Sequence, residues 1–96
     1  MKRVTEINQL TKGDVIVTIE DRKIVKREFV CVHPHNDKYS ILLDELYDGC
    51  PKFFNENLRF KNWYLFTNSE EDRKELNAMM VEELKNSIAF YEQRSK

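Results

Sequence analysis

Apolar and polar residues alternate over short distances in the first two thirds of the chain, which predicts β-strands. β-Branched residues fill positions 15–19 almost without interruption, and a second extended run covers residues 24–32. A third run starts at Tyr39 and ends near residue 45 or 46, and the aromatic stretch between residues 52 and 66 fits one or two more strands. We therefore predict four to five strands, paired antiparallel.

The last third of the chain has the pattern of one long helix. Ser69 offers an N-cap hydroxyl, acidic residues fill the first turn at positions 70–72, and neither glycine nor proline interrupts residues 69–94. At a rise of 1.5 Å per residue this segment spans roughly 39 Å, more than the ~30 Å diameter of a small domain. We therefore predict a helix over residues 69–94 that extends beyond the sheet.

Together these elements predict a single α+β domain over residues 1–96. It consists of a β region, residues 1–66, which opens with a short helical turn, and the C-terminal helix. The spacing of Ile7, Leu10 and the pair Gly13–Asp14, followed by β-branched residues, resembles the entry into many SH3-type barrels over about a dozen residues. The expected architecture is a small antiparallel β-barrel or a strongly bent, SH3-like sheet.

Composition excludes several classes of function. Only two glycines and two prolines are present, too few for a glycine-rich phosphate loop or a dinucleotide-binding fingerprint. The 16 basic and 17 acidic residues nearly cancel, unlike the charge of a protein that coats nucleic acid. No apolar run is long enough to cross a bilayer, and residues 1–6 lack the apolar stretch of a secretory signal. We expect a cytoplasmic protein without a membrane segment.

Two cysteines and two histidines form the most obvious candidate metal set. Cys31, His33 and His35 would share one face of an extended strand, and Cys50 follows in a predicted turn. Structural zinc sites use C-x2-C or H-x3-H spacing, whereas alternate strand positions spread ligands by ~6.5 Å per step. We therefore expect no metal here, and Cys31 to be a small core residue. A zinc module remains the third hypothesis.

Catalytic chemistry has weak support in the sequence. His33, His35 and Asp37 could serve as acid–base groups, since histidine titrates near neutrality. None of the four serines stands in a nucleophile-elbow setting, and Cys50 lacks an identifiable base. We expect a non-catalytic protein that needs no cofactor.

A basic set near the first hairpin supports nucleic-acid binding as the alternative function. It comprises Arg22, Lys23, Lys26 and Arg27, with Trp63 as an aromatic that could stack on bases. Neighbouring acids at positions 20, 21 and 28 weaken this positive charge. The second hypothesis is a small β-barrel that binds nucleic acid.

The helix supports the first hypothesis, a protein-interaction module that acts as an adaptor or regulator. Measured from Leu76, its apolar positions occupy an arc of about 200°, while packing on one sheet needs little more than ~100°. The excess falls around Met79, Glu83 and Phe90. We predict that these three residues contact another protein or a second copy of the chain.

A heptad pattern points to the same helix. Val81, Leu84, Ile88 and Tyr91 follow a-d-a-d spacing, which is too short for a free coiled coil. It suffices for a short helix pair, and we therefore expect a homodimer as one form of this interaction.

Overall fold

The computed structural model describes residues 1–44 and 51–94, and within them the chain forms one antiparallel sheet followed by one helix. The strands are β1 (Lys2–Val4), β2 (Val15–Glu20), β3 (Lys23–Val32), β4 (Ser40–Asp44), β5 (Lys52–Glu56) and β6 (Trp63–Phe66). A 3-10 helix covers Ile7–Gln9, and helix α1 covers Glu70–Arg94. The predicted α+β class is confirmed. The turn predicted after the third strand, with Cys50, lies outside the described residues.

Six strands are present in the described residues instead of the predicted four to five. The sheet order is β1-β6-β2-β3-β4-β5, so the chain's first strand pairs with its last. Strand β1 has three residues, of which only Val4 is apolar, and therefore carries no recognisable strand pattern. Strand β1 is defined by its antiparallel ladder with β6, in which Val4 lies opposite Trp63.

The sheet is open, and its two edges approach each other. No ladder joins β1 to β5 among the described residues, so the predicted closed barrel is not formed there. A groove of about 390 Å³ is nevertheless lined by residues 5–8, which follow β1, and by residues 57–59, which follow β5. Buried Val4 and Leu58, from these two ends of the sheet, also belong to one core cluster. The fold thus brings the ends of the two edge strands, β1 and β5, close together.

Apolar side chains form two separate cores. The larger one gathers Val4, Leu10, Ile16, Phe29, Leu42, Leu58 and Trp63. The smaller one joins Val17 and Phe66 of the sheet to Leu76 of helix α1. Ile16 and Val17 are neighbours in β2, and side chains of successive strand residues point to opposite faces. The two cores therefore lie on the two faces of the sheet, and Leu76 of α1 packs on the second.

The β2–β3 hairpin turns through only two residues. Asp21 and Arg22 have φ angles of 51° and 62°, as in a type I′ turn. Aspartate is common at the first of these positions, but Arg22 occupies the second, where glycine is usual, so the sequence predicts only a charged break. The tight turn continues the β2–β3 ladder to the pair Glu20–Lys23 and places Arg22 at the tip of the hairpin.

Candidate protein-interaction surface

Helix α1 is capped and tied to β6 at its first turn. The Ser69 hydroxyl accepts a hydrogen bond from the Asp72 backbone N–H at 3.1 Å, which is the predicted N-cap. The Asp72 carboxylate accepts bonds from the backbone N–H of Thr67 at 2.8 Å and from its hydroxyl at 2.7 Å. These bonds, the backbone one foremost, lower the pKa of Asp72 because they stabilise its ionised form.

A second attachment links α1 to the beginning of the chain. The amino group of Met1 pairs with the carboxylates of Glu75 and Asp72. The hydrogen bond to Glu75 raises the pKa of this amino group, because it stabilises the protonated form. Leu76 follows and is buried in the smaller core. These contacts hold the first part of the helix against the sheet.

The second part of the helix is largely exposed. Met79 and Met80 are half-buried, whereas from Val81 to Gln93 every residue except half-buried Ser87 is exposed. We call Glu70–Met80 the anchored half and Val81–Arg94 the free half. The molecule is 51 Å long and 29 Å across, consistent with a helix that extends past the sheet.

Four apolar side chains of the free half form a continuous exposed stripe. Val81, Leu84, Ile88 and Tyr91 are 49%, 42%, 58% and 56% exposed, and we call these four the apolar stripe. They lie at about 60–140° around the helix from Leu76, which faces the sheet, and Tyr91 at one end of the stripe lies beside Arg22 of the hairpin. The predicted heptad spacing therefore falls on an exposed surface. Large apolar side chains clustered in this way are typical of binding sites.

The residues predicted as the contact surface lie on the other side of the helix. Glu83 and Phe90 line a groove of about 380 Å³ together with Asp21 and Arg22 of the hairpin tip. The Arg22 guanidinium lies 6.0 Å from the ring centroid of Tyr91. The chain's own hairpin therefore borders the groove beside Glu83 and Phe90 and also reaches Tyr91 at one end of the stripe, although Phe90 stays 55% exposed. Half-buried Met79 lies further toward the anchored end.

The division of the helix's apolar residues between buried and exposed positions thus differs from the expectation. The sequence places the excess apolar surface around Met79, Glu83 and Phe90, whereas the structure leaves Val81, Leu84 and Ile88 about half exposed on the opposite side. The attachments of Asp72 and Met1 determine the rotation of α1, and periodicity alone does not contain that information. The heptad spacing is the sequence signal that marks the stripe.

The basic set proposed for nucleic-acid binding is distributed over both faces of β3. Lys23 and Arg27 point to one face and Lys26 to the other, because strand side chains alternate. Lys26 lies 4.7 Å from the Phe66 ring centroid, beside the smaller core. Arg22 is at the hairpin tip, next to Tyr91. The set does not form one continuous basic surface.

Arg27 and Trp63 are engaged inside the protein. The Arg27 guanidinium lies 3.9 Å from the Phe54 ring centroid and forms ion pairs with Glu56 at 3.3 Å and Asp44 at 4.0 Å. Trp63 is 0% exposed, which corrects its assignment as a base-stacking residue. The nucleic-acid hypothesis stays a prediction, carried by Arg22, Lys23 and Lys26.

The candidate metal ligands do not converge in the described residues, where no three His, Cys, Asp or Glu side chains form a group suited to a metal ion. His33 and His35 follow the end of β3, and the His33 Nδ1 accepts a hydrogen bond from the His35 backbone N–H at 3.1 Å. Cys31 is exposed, contrary to its expected place in the core, because a bulge between Phe29 and Cys31 shifts the register of β3. Cys50 lies outside the described residues.

Comparison of the chain with protein-family models, curated proteins and solved structures finds no match. In residues 1–44 and 51–94, no helix is sufficiently long and apolar to span a membrane.

Proposed function

We propose that this protein is a small, non-catalytic interaction module that binds a macromolecular partner through the free half of α1. The observation that carries the proposal is the apolar stripe, four large side chains each about half exposed on a helix that projects from the sheet. Burying such side chains against a partner is favourable by about 25 cal/mol per Å². The contact surface is the apolar stripe, centred on Leu84 and Ile88. Met79, Glu83 and Phe90, on the other side of the helix, stay a predicted second contact.

Charge and aromatic content support a protein partner over nucleic acid. In the free half, the three acids Glu82, Glu83 and Glu92 outnumber the two bases, Lys85 and Arg94. An acidic helix surface is repelled by phosphate backbones, whereas aliphatic and aromatic side chains are common in protein interfaces. The stripe is the part of this surface available to an apolar partner.

The proposal is tested with two double variants of the full chain. Leu84→Glu/Ile88→Glu places two charges in the stripe, and Ala89→Glu/Gln93→Glu places two charges on exposed positions elsewhere on the same half. Wild type and both variants are immobilised and exposed to nuclease-treated native lysate, and captured proteins are purified and rebound. We expect partners that bind wild type and the Ala89/Gln93 variant and lose binding to the Leu84/Ile88 variant. Equal capture by both variants would contradict the proposal.

We also infer that the sheet has the strong bend of an SH3-like fold. In a flat sheet of this order β1 and β5 would be ~24 Å apart, at ~4.8 Å per strand. The shared core of Val4 and Leu58, and the groove between the segments that follow β1 and β5, support a strong bend. Nuclear Overhauser contacts linking the larger core's residues at both ends of the sheet test this inference, and their absence contradicts it.

A further inference from the structure

We propose that the apolar stripe binds the stripe of a second copy of this chain, with the two helices antiparallel. The inference rests on the proposed function, because it names the partner of the same surface. The experiments below distinguish a failure of self-pairing from a failure of the proposed interaction function.

The spacing of the stripe is symmetric about its centre. Its four residues are separated by three, four and three positions, so the order of intervals is the same from either end. A two-fold axis near Asn86 places Leu84 opposite Ile88 of the second copy, and Val81 opposite Tyr91 of the second copy. The small Val81 side chain thus meets the large Tyr91 ring, and Leu84 meets Ile88, which has the same size. Each copy offers the same surface, as a two-fold interface requires.

The position of the stripe along α1 separates the two sheets in an antiparallel pair. With the axis near Asn86, the overlap of the two helices covers residues 78–94, which is essentially the free half. The anchored halves, with their sheets, then lie at opposite ends of the pair. A parallel arrangement would instead place both sheets side by side at the same end.

The charges around the stripe permit self-association. Glu82 and Glu83 lie at about 240° and 340° around the helix, away from the stripe centred near 100°. Lys85 borders the stripe at about 180° and faces Lys85 of the second copy across the axis. A contact between two exposed lysines is weakly repulsive and is screened by salt. Glu92 also borders the stripe, at about 160°, and lies opposite Met80 of the second copy. No two acidic side chains therefore face each other in the antiparallel arrangement within the overlap.

The contact area available between the two helices determines the strength of the dimer. The overlap is about 25 Å long on a helix about 10 Å wide, a footprint below the ~800 Å² per partner of a standard interface. We therefore expect a reversible dimer whose population depends on protein concentration and rises with salt.

Sedimentation equilibrium of the purified full chain measures this dimer from low to high micromolar concentration. We expect the wild type and Ala89→Glu/Gln93→Glu to reach the dimer mass, and Leu84→Glu/Ile88→Glu to dissociate at least about tenfold more readily. Circular dichroism shows whether each variant keeps its helix. A wild type that stays monomeric throughout overturns self-pairing, as does a dimer that the Leu84/Ile88 variant retains.

Disulfide trapping determines the orientation. Val81→Cys and Tyr91→Cys are made separately in a chain with Cys31→Ser and Cys50→Ser, then mixed under mild oxidation. Antiparallel pairing gives a cross-linked dimer that contains both variants, with little from either alone. A parallel pair instead cross-links Val81→Cys to itself, and that result overturns the proposal.

The two proposals fail separately. A monomeric wild type whose lysate partners depend on the stripe removes self-pairing and leaves the interaction function. A monomeric wild type whose captured proteins bind equally to the Leu84/Ile88 variant removes both.

Discussion

The two halves of α1 have similar apolar content and opposite surroundings. In the anchored half, Leu76 is buried against the sheet and the methionines after it are half-buried. In the free half, the apolar stripe is exposed although its spacing is as regular. The difference lies in the attachments, since the contacts of Asp72 and Met1 with the rest of the chain are near the start of the helix. Regular apolar spacing therefore identifies a binding face without identifying what it binds.

We refer to the sheet with the anchored half as the body. If the contrast between body and free half is correct, substitutions in the body lower the free energy of unfolding, and substitutions in the free half lower self-association or partner binding. The following predictions test this contrast from the largest expected effect to the smallest.

The largest loss is expected from Arg27→Ala. The Arg27 guanidinium is nearly buried between an aromatic ring and two carboxylates. Its removal takes this cation from nearly buried Asp44 and leaves Glu56 with Lys61, at 3.7 Å, as a remaining cation. Loss of one partner from a buried ion pair costs about 3–5 kcal/mol. Urea unfolding measures this free energy, with exposed Arg73→Ala as the control. A cost below about 1 kcal/mol would show that the guanidinium contributes little to the body.

Leu76→Ala and Leu84→Ala compare the halves of α1 directly. Leu76 is 4% exposed, so its truncation leaves a cavity and should cost about 2–4 kcal/mol. Leu84→Ala should change the unfolding free energy of the monomer by no more than about 0.5 kcal/mol. Urea unfolding at low protein concentration, where the monomer dominates, provides both values. Equal costs would contradict the division of the helix.

Ser69→Ala should destabilise the protein by about 1 kcal/mol, because it removes the hydroxyl that accepts the Asp72 backbone N–H. Ser87→Ala, within the free half, is the matched control and should be close to neutral. Thermal unfolding followed by circular dichroism compares the two. A larger loss from Ser87→Ala would place a stabilising contact in the free half.

The smallest effect is a dependence of stability on acidic pH. The pKa of Asp72 is lower in the folded protein, so its ionised form stabilises the fold above its unfolded pKa of about 3.9. This contribution is lost as the pH falls through the lowered folded value. The stability difference between wild type and Asp72→Asn should therefore be greatest near neutral pH and shrink in acid.

Thr67→Val should show a pH dependence of stability between those of wild type and Asp72→Asn. It removes the hydroxyl donor and keeps the backbone N–H, so part of the pH dependence should remain. Unfolding midpoints measured from neutral to acidic pH compare the three proteins. A constant difference between wild type and Asp72→Asn at every pH contradicts the role assigned to this carboxylate.

Strong local patterns could be predicted from the sequence. The N-cap at Ser69 and the long uninterrupted helix agree with the structure to within one residue, because capping and helix propensity are local properties. The strands with β-branched runs were predicted for the same reason. Strand β1 was missed because its three residues form a strand only through pairing with β6. Trp63 was predicted to stack on bases, but it is buried. The prediction failed because alternation does not specify which face of a strand meets the core.

The sequence by itself determined the α+β class, the position and length of α1 and the existence of more apolar surface than one sheet can cover. These properties depend on residues close together in the chain. Only the tertiary structure decided which part of that surface remains exposed. The rotation of α1 depends on contacts between residues far apart in sequence, among them Met1 with Glu75 and Leu76 with Val17. Those contacts turn Leu76 toward the sheet and leave Leu84 and Ile88 for a partner.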